Sequence, residues 1–89
     1  MNDTEIESRV LELLLAIAPD VDRAKLVRAV PFRQQFDFDS MDTLNFAISL
    51  SESFGIEVPE TEYRELASLA KTVDYVSRKV AAAPTTSAS

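Results

Sequence analysis

The residues best placed to do chemistry lie close together, in Asp37-Phe38-Asp39-Ser40-Met41-Asp42: three aspartates around one serine. Carboxylates at this spacing raise the question of a cation. An EF-hand loop beginning at Asp37 would need an oxygen ligand at its fifth position, glycine at the sixth and glutamate at the twelfth. Met41, Asp42 and Ile48 stand at those places, so the calcium reading fails. Catalysis by the serine fares no better. The chain has no histidine and no cysteine, and no motif ties Lys25, Lys71 or Lys79 to Ser40 as a base. Two readings of Ser40 remain from the residues alone. It is either a helix N-cap, worth about 1 kcal/mol, or a hydroxyl to which another enzyme attaches something.

The elements that would position this serine can be read from periodicity and punctuation. A first helix is expected from about Thr4 to Ala18. Thr4 and Glu7 fit a capping box, and Ile6, Val10, Leu13, Leu14 and Ile17 recur at helical spacing. Pro19 ends it, because the residue before a proline is pushed away from helical geometry. A long connection leads on to Asp39. Arg23 to Val27 suggests a helical turn there, with Leu26 and Val27 directed inward and Pro31-Phe32 and Phe36 as anchors.

A second helix is expected from Ser40 to Phe54. Met41, Leu44, Ala47, Ile48 and Phe54 form its apolar face, widened by Phe46 and Leu50. Asp42, Asn45, Ser49, Glu52 and Ser53 lie opposite. Gly55 stands where a left-handed cap is favoured. Ile56 to Pro59 reads as extended and Thr61 to Leu66 as a short third helix. Ser68 caps a fourth, with Leu69, Val73, Val76 and Val80 along one side. The domain is expected over residues 1–80, and the small, polar stretch 81–89 is expected to be a disordered tail.

The 89 residues suit one small domain, and a hydrophobic content of 46% supports a folded one. Without cysteine there is no disulfide framework. The first residues carry no signal-peptide pattern, and no apolar run approaches the roughly 18 residues of a membrane span. A soluble, cytoplasmic monomer is the expectation. A net charge of −6 disfavours nucleic acid and anionic membranes as partners. Its distribution matters more. Between Arg33 and Arg64 there is no basic residue, while Asp37, Asp39, Asp42, Glu52, Glu57, Glu60 and Glu62 fall inside that window. The negative field is concentrated around Ser40 and the segment after it.

Asp39-Ser40-Met41-Asp42-Thr43-Leu44, with Phe54-Gly55-Ile56-Glu57-Val58-Pro59 after it, resembles the acyl carrier protein family, whose attachment motif is Asp-Ser-Leu at the start of the second helix. The resemblance covers nearly the whole chain. It implies an all-α fold, a small four-helix bundle of acyl-carrier type with three longer helices, one short helix and a long loop between helices 1 and 2. It also implies that a phosphopantetheinyl transferase, using coenzyme A and Mg²⁺, places 4′-phosphopantetheine on Ser40. Asp39 corresponds to the motif acid that helps position the Mg²⁺ and the transferase.

On this resemblance the chain is a free-standing carrier and not an enzyme. It would hold acyl intermediates as thioesters in a fatty-acid-like, polyketide or other secondary pathway. The alternatives are an aminoacyl or peptidyl carrier, or an unmodified acidic interaction module with the same fold. Partners would be acyl-loading and acyl-processing enzymes with basic docking patches. Met41, Asp42, Asp37, Glu52 and Glu57 are the candidate contacts. Met41 has a second reading as an edge of the core, and Asp42 as an ordinary first-turn acid. Two departures stand out. Asp37 occupies the place of the family's glycine, and the second helix is poorer in acids than fatty-acid carriers tend to be. Phe36, Phe46 and Phe54 are candidates to fill the space between helices that could otherwise take an acyl chain.

Overall fold

In the computed structural model, which describes residues 2–82, Asn2 rather than Thr4 caps the first helix, α1 (Asp3–Ile17). The Glu5 N–H donates to Asn2 Oδ1 at 2.8 Å, and the Asn2 N–H donates to Glu5 Oε1 at 3.0 Å. The expected Thr4–Glu7 box is thus displaced by an equivalent pair two residues earlier. Asparagine is the stronger cap, and the helix starts one residue earlier than expected and ends one earlier, at Ile17. Ile6, Val10, Leu11 and Leu14 are its buried face, with Leu13 and Ile17 packed at the margin.

The long connection is ordered by its own side chains. A 3₁₀ turn forms at Arg23–Lys25, and a single helical turn, α2 (Phe32–Gln35), is one that the sequence does not lead one to expect. Gln35 does much of the ordering. Its side-chain oxygen accepts the Val27 N–H at 2.8 Å, and its amide nitrogen donates to the carbonyls of Val27 and Val30 at 2.9 and 2.8 Å. Leu26 packs inward as expected, but Val27 is 52% exposed. Two adjacent apolar residues cannot both face the core when the backbone beside them is held by a polar side chain. Phe32 is fully buried, Phe36 partly so, and Phe38 joins them. The Phe32 ring lies 5.6, 5.2 and 6.0 Å from those of Phe36, Phe38 and Phe46, within the range where tilted aromatic pairs attract.

Helix α3 (Ser40–Phe54) has the expected bounds. Gly55 closes it at φ 65°, a left-handed conformation that suits a residue without Cβ. The Ser51 hydroxyl donates to the Ile56 carbonyl at 2.6 Å and fixes the exit of the chain. Phe46, Ala47 and Leu50 are the buried stripe.

A 3₁₀ segment, Glu60–Leu66, takes the place of the short third helix. Helix α4 (Leu69–Ala82) comes after a cap by Ser68, whose hydroxyl accepts the Lys71 N–H at 3.2 Å. Ala81 and Ala82 belong to α4, and the rest of the expected tail lies outside the described residues. Among the described residues every regular element is helical. Helix α4 packs chiefly on α1 and on the 60–66 segment. The Tyr75 hydroxyl donates to Glu62 Oε1 at 2.6 Å, and Lys79 Nζ lies 3.1 Å from the same oxygen. Hydrogen bonds from Tyr75 and then Lys79 lower the pKa of Glu62. Burial first, and then the bond to Glu62, raise that of Tyr75. Two backbone hydrogen bonds tie the loop to the start of α4: Phe32 N–H to the Ala67 carbonyl at 2.7 Å and Ala70 N–H to the Arg28 carbonyl at 2.9 Å.

Candidate functional site

Ser40 is the first residue of α3, and it is not the cap. Asp39 caps the helix, with extended backbone and a carboxylate that accepts the Asp42 N–H at 2.9 Å. Asp42 returns the bond: its Oδ2 accepts the Asp39 N–H at 3.2 Å. The Thr43 hydroxyl donates to the Asp39 carbonyl at 3.1 Å. Asp39 and Asp42 therefore share the capping work that Ser40 could have done. Ser40 itself is exposed, and among the described residues its hydroxyl enters no hydrogen bond. A free hydroxyl at the start of a helix faces unpaired backbone N–H groups and the positive end of the helix dipole, the setting in which a phosphate is stabilised.

The sequence-predicted residues divide into two groups. Asp37, Asp39 and Ser40 line one shallow depression together with Arg33, Phe36 and Phe38. Asp42 caps the same helix end but faces the cleft on the other side, which Asp37 also reaches. Glu52 lies twelve residues further along α3, about 18 Å at 1.5 Å per residue, beside Ile48 and Val58. Glu57 is exposed beyond the end of α3. These two acids belong to the far end of the helix, away from the serine.

Met41 is 61% exposed, so the core-edge reading does not hold. Ile48, expected in the core, is 47% exposed as well. At a spacing of seven residues, two turns apart, the two side chains share one open face of α3. The sequence contains this stripe, but helical phase alone cannot say which of two apolar stripes is covered.

A second cavity, of about 380 Å³, opens on the other side of Ser40 between α3 and the 60–66 segment. Phe38, Thr43, Tyr63 and Leu66 line it, and Arg33 and Arg64 join Ser40 in its wall. The interior beyond is filled: Phe32 and Phe46 are fully buried and Phe38 is nearly so, while Phe36 and Phe54 are partly buried. Sequence reasoning does not single out Arg33 and Arg64 as site residues. A signal is present all the same, because they bound the stretch that has no other basic residue.

A small helical bundle with an exposed, unbonded serine at the start of its middle long helix has the form of a carrier-type module. The comparisons with known proteins agree. The family profile described as "Phosphopantetheine attachment site" matches residues 8–76. The acyl carrier protein of Thermosynechococcus vestitus is 34% identical over 79 residues, covering 85% of this chain and 98% of that protein. The acyl carrier protein of Guillardia theta is 30% identical over 82 residues, covering 92% and 100%. That of Rubrobacter xylanophilus is 30% identical over 76 residues, covering 85% and 93%. The chain belongs to the acyl carrier protein family, and its prosthetic group is a covalently attached 4′-phosphopantetheine. The residues at the start of α3 fit such a group, since they offer an exposed hydroxyl that no hydrogen bond engages.

Proposed function

We propose that Ser40 is the attachment residue and that the chain carries acyl intermediates in a fatty-acid-like, polyketide or other secondary pathway of the cytoplasm. The observation that carries this reading is the division of labour at the helix start. Asp39 and Asp42 hold the cap, and Ser40 is left exposed. When bound, 4′-phosphopantetheine supplies the thiol, absent from the polypeptide, on which acyl groups are held as thioesters. The protein's own part is to present Ser40 and to be recognised.

Recognition rests on the surface around the serine. Asp37, Asp39 and Asp42 give the helix start a negative field that steers basic partners, and Asp39 is placed to help a transferase's Mg²⁺. Met41 supplies an apolar contact at its centre. Glu52 and Glu57 extend the acidic surface at the other end of α3. The partners are a phosphopantetheinyl transferase and acyl-loading and acyl-processing enzymes, and the chain acts as a monomeric carrier rather than a catalyst.

Intact mass after incubation with coenzyme A, Mg²⁺ and a broad-specificity transferase tests the assignment. The expected result is one phosphopantetheinyl group on the parent and none on Ser40→Ala. Because Ser40 does not cap the helix, the variant keeps its fold, which circular dichroism checks. A parent that gains nothing, and that is also unmodified when isolated from its own host, would leave the interaction-module reading instead.

A further inference from the structure

Arg33 and Arg64 stand 31 positions apart in sequence, and no basic residue lies between them. The fold nevertheless brings both to the wall of the cavity of about 380 Å³ that also contains Ser40. Arg33 also lines the depression shared by Asp37, Asp39 and Ser40, so it borders both hollows beside the serine. Arg28 pairs with Glu7 at 2.7 Å, Arg78 with Asp74 at 3.0 Å and Arg9 with Glu12 at 3.7 Å, while Arg23, in the 3₁₀ turn, lines neither hollow beside Ser40. Among the described residues, neither Arg33 nor Arg64 forms an ion pair or a side-chain hydrogen bond. Two arginines without ion-pair partners thus share a cavity wall with a serine in the most acidic part of the molecule.

Charge makes this placement consequential. A phosphodiester on Ser40 adds a negative charge beside Asp37, Asp39 and Asp42. The N-terminal dipole of α3 offsets part of it, but the helix end already serves two aspartates. Arginine matches phosphate oxygens with a planar fork of donors, and charge-assisted bonds of this kind are stronger than neutral ones. The apolar wall between the two arginines, Phe38, Tyr63 and Leu66, gives the arm a surface to lie on.

The geometry points to Arg33 and Arg64 as a clamp for the phosphodiester of the prosthetic arm. It directs the resting arm into the cleft between α3 and the 60–66 segment, away from the acidic face of α3. The two are positioning residues and take no part in thioester chemistry. The inference rests on Ser40 being the attachment residue. Partners with basic docking patches would compete for the same phosphate and so release the arm when they bind.

The test compares the unmodified protein with the holo form, made with coenzyme A, Mg²⁺ and a transferase or isolated from its own host. The arginine side-chain Nε–H resonances are followed in both, and the phosphorus signal of the arm in the holo form. The expected result is that the Nε–H signals of Arg33 and Arg64 shift on conversion, together with the backbone amides of Thr43, Tyr63 and Leu66. The phosphorus signal of Arg33→Gln and of Arg64→Gln then differs from that of the parent. Lys71→Gln, which removes a charge outside the cleft, leaves it unchanged. A holo protein of correct mass whose arginine signals do not move would overturn the clamp and leave the Ser40 assignment standing. A protein that carries no phosphopantetheinyl group from either source would remove both.

Discussion

Asp39 and Asp42 cap α3 reciprocally, with the Asp42 N–H donating to Asp39 Oδ1 at 2.9 Å and the Asp39 N–H to Asp42 Oδ2 at 3.2 Å. Both acids are candidate recognition residues, and both have a structural duty as well. Asp39→Ala is expected to lower stability by about 1 kcal/mol. Asp42→Ala should cost less, because first-turn acids contribute about 0.3–1 kcal/mol. A double-mutant cycle in urea denaturation should show coupling between the two, since they share one motif. Additivity would mean that the two bonds act separately.

Gly55 is the backbone switch at the other end of α3. A Cβ built there meets nothing within 4 Å, so space is not the difficulty. The difficulty is φ 65°. Gly55→Ala is expected to destabilise by about 1–2 kcal/mol, and Gly55→Asn by visibly less because asparagine tolerates this conformation. Thermal unfolding of the pair measures the difference.

The Phe32 ring is fully buried and touches three other phenylalanine rings. Phe32→Ala should therefore cost about 3–5 kcal/mol, a large part of the stability of a small domain. Denaturant midpoints would register it, and a loss below about 1 kcal/mol would mean that the loop is not anchored by this residue.

Glu62 carries a lowered pKa, through its bonds to Tyr75 and Lys79. A carboxylate held below its unfolded value contributes stability above the unfolded pKa, and that contribution is lost as pH falls through the folded one. Urea midpoints should thus decline on acidification from about pH 4.3, and Glu62→Gln should flatten that decline. Tyr75 has the opposite shift, upward. A tyrosine that resists ionisation in the folded state keeps its full contribution to stability below the ordinary tyrosine pKa. Above the ordinary tyrosine pKa the folded protein must hold a proton that the unfolded one has released, which costs stability as pH rises. Tyr75→Phe should abolish that alkaline loss.

Met41→Asn and Ile48→Asn alter an exposed face and should change stability by no more than about 0.5 kcal/mol. Loading by a transferase should slow several-fold for Met41→Asn, since Met41 adjoins Ser40. Ile48→Asn lies two turns away and should weaken partners that span the helix. Unchanged rates with both would restrict recognition to the charges.

Boundaries are legible where a residue type is tied to a backbone state. Gly55 marks the end of α3 and Ser68 the start of α4 by residue type alone, whereas the cap of α3 belongs to Asp39 and not to Ser40, since either residue type caps well. Faces are less legible. Met41 and Ile48 alternate with Phe46 and Leu50 on a helix that is apolar over a wide arc, and only packing by α1 and the 60–66 segment decides which stripe is covered. The loop is least legible. Gln35 orders it with three bonds to backbone, and such bonds leave no periodic trace. The role of Phe38 is hidden for a different reason. It sits inside the site motif, yet its ring belongs to the core.

The two backbone bonds from the loop to the start of α4, Phe32 to Ala67 and Ala70 to Arg28, make the serine's surroundings depend on a distant element. Peeling of helix α4 breaks the Ala70–Arg28 bond and so loosens the segment that leads into Asp39 and Ser40. The amides of Phe32 and Ala70 should accordingly exchange with solvent as one unit, at the same opening free energy. Peeling of the last helix would then govern how long Ser40 stays correctly presented, although that helix begins far along the chain from it.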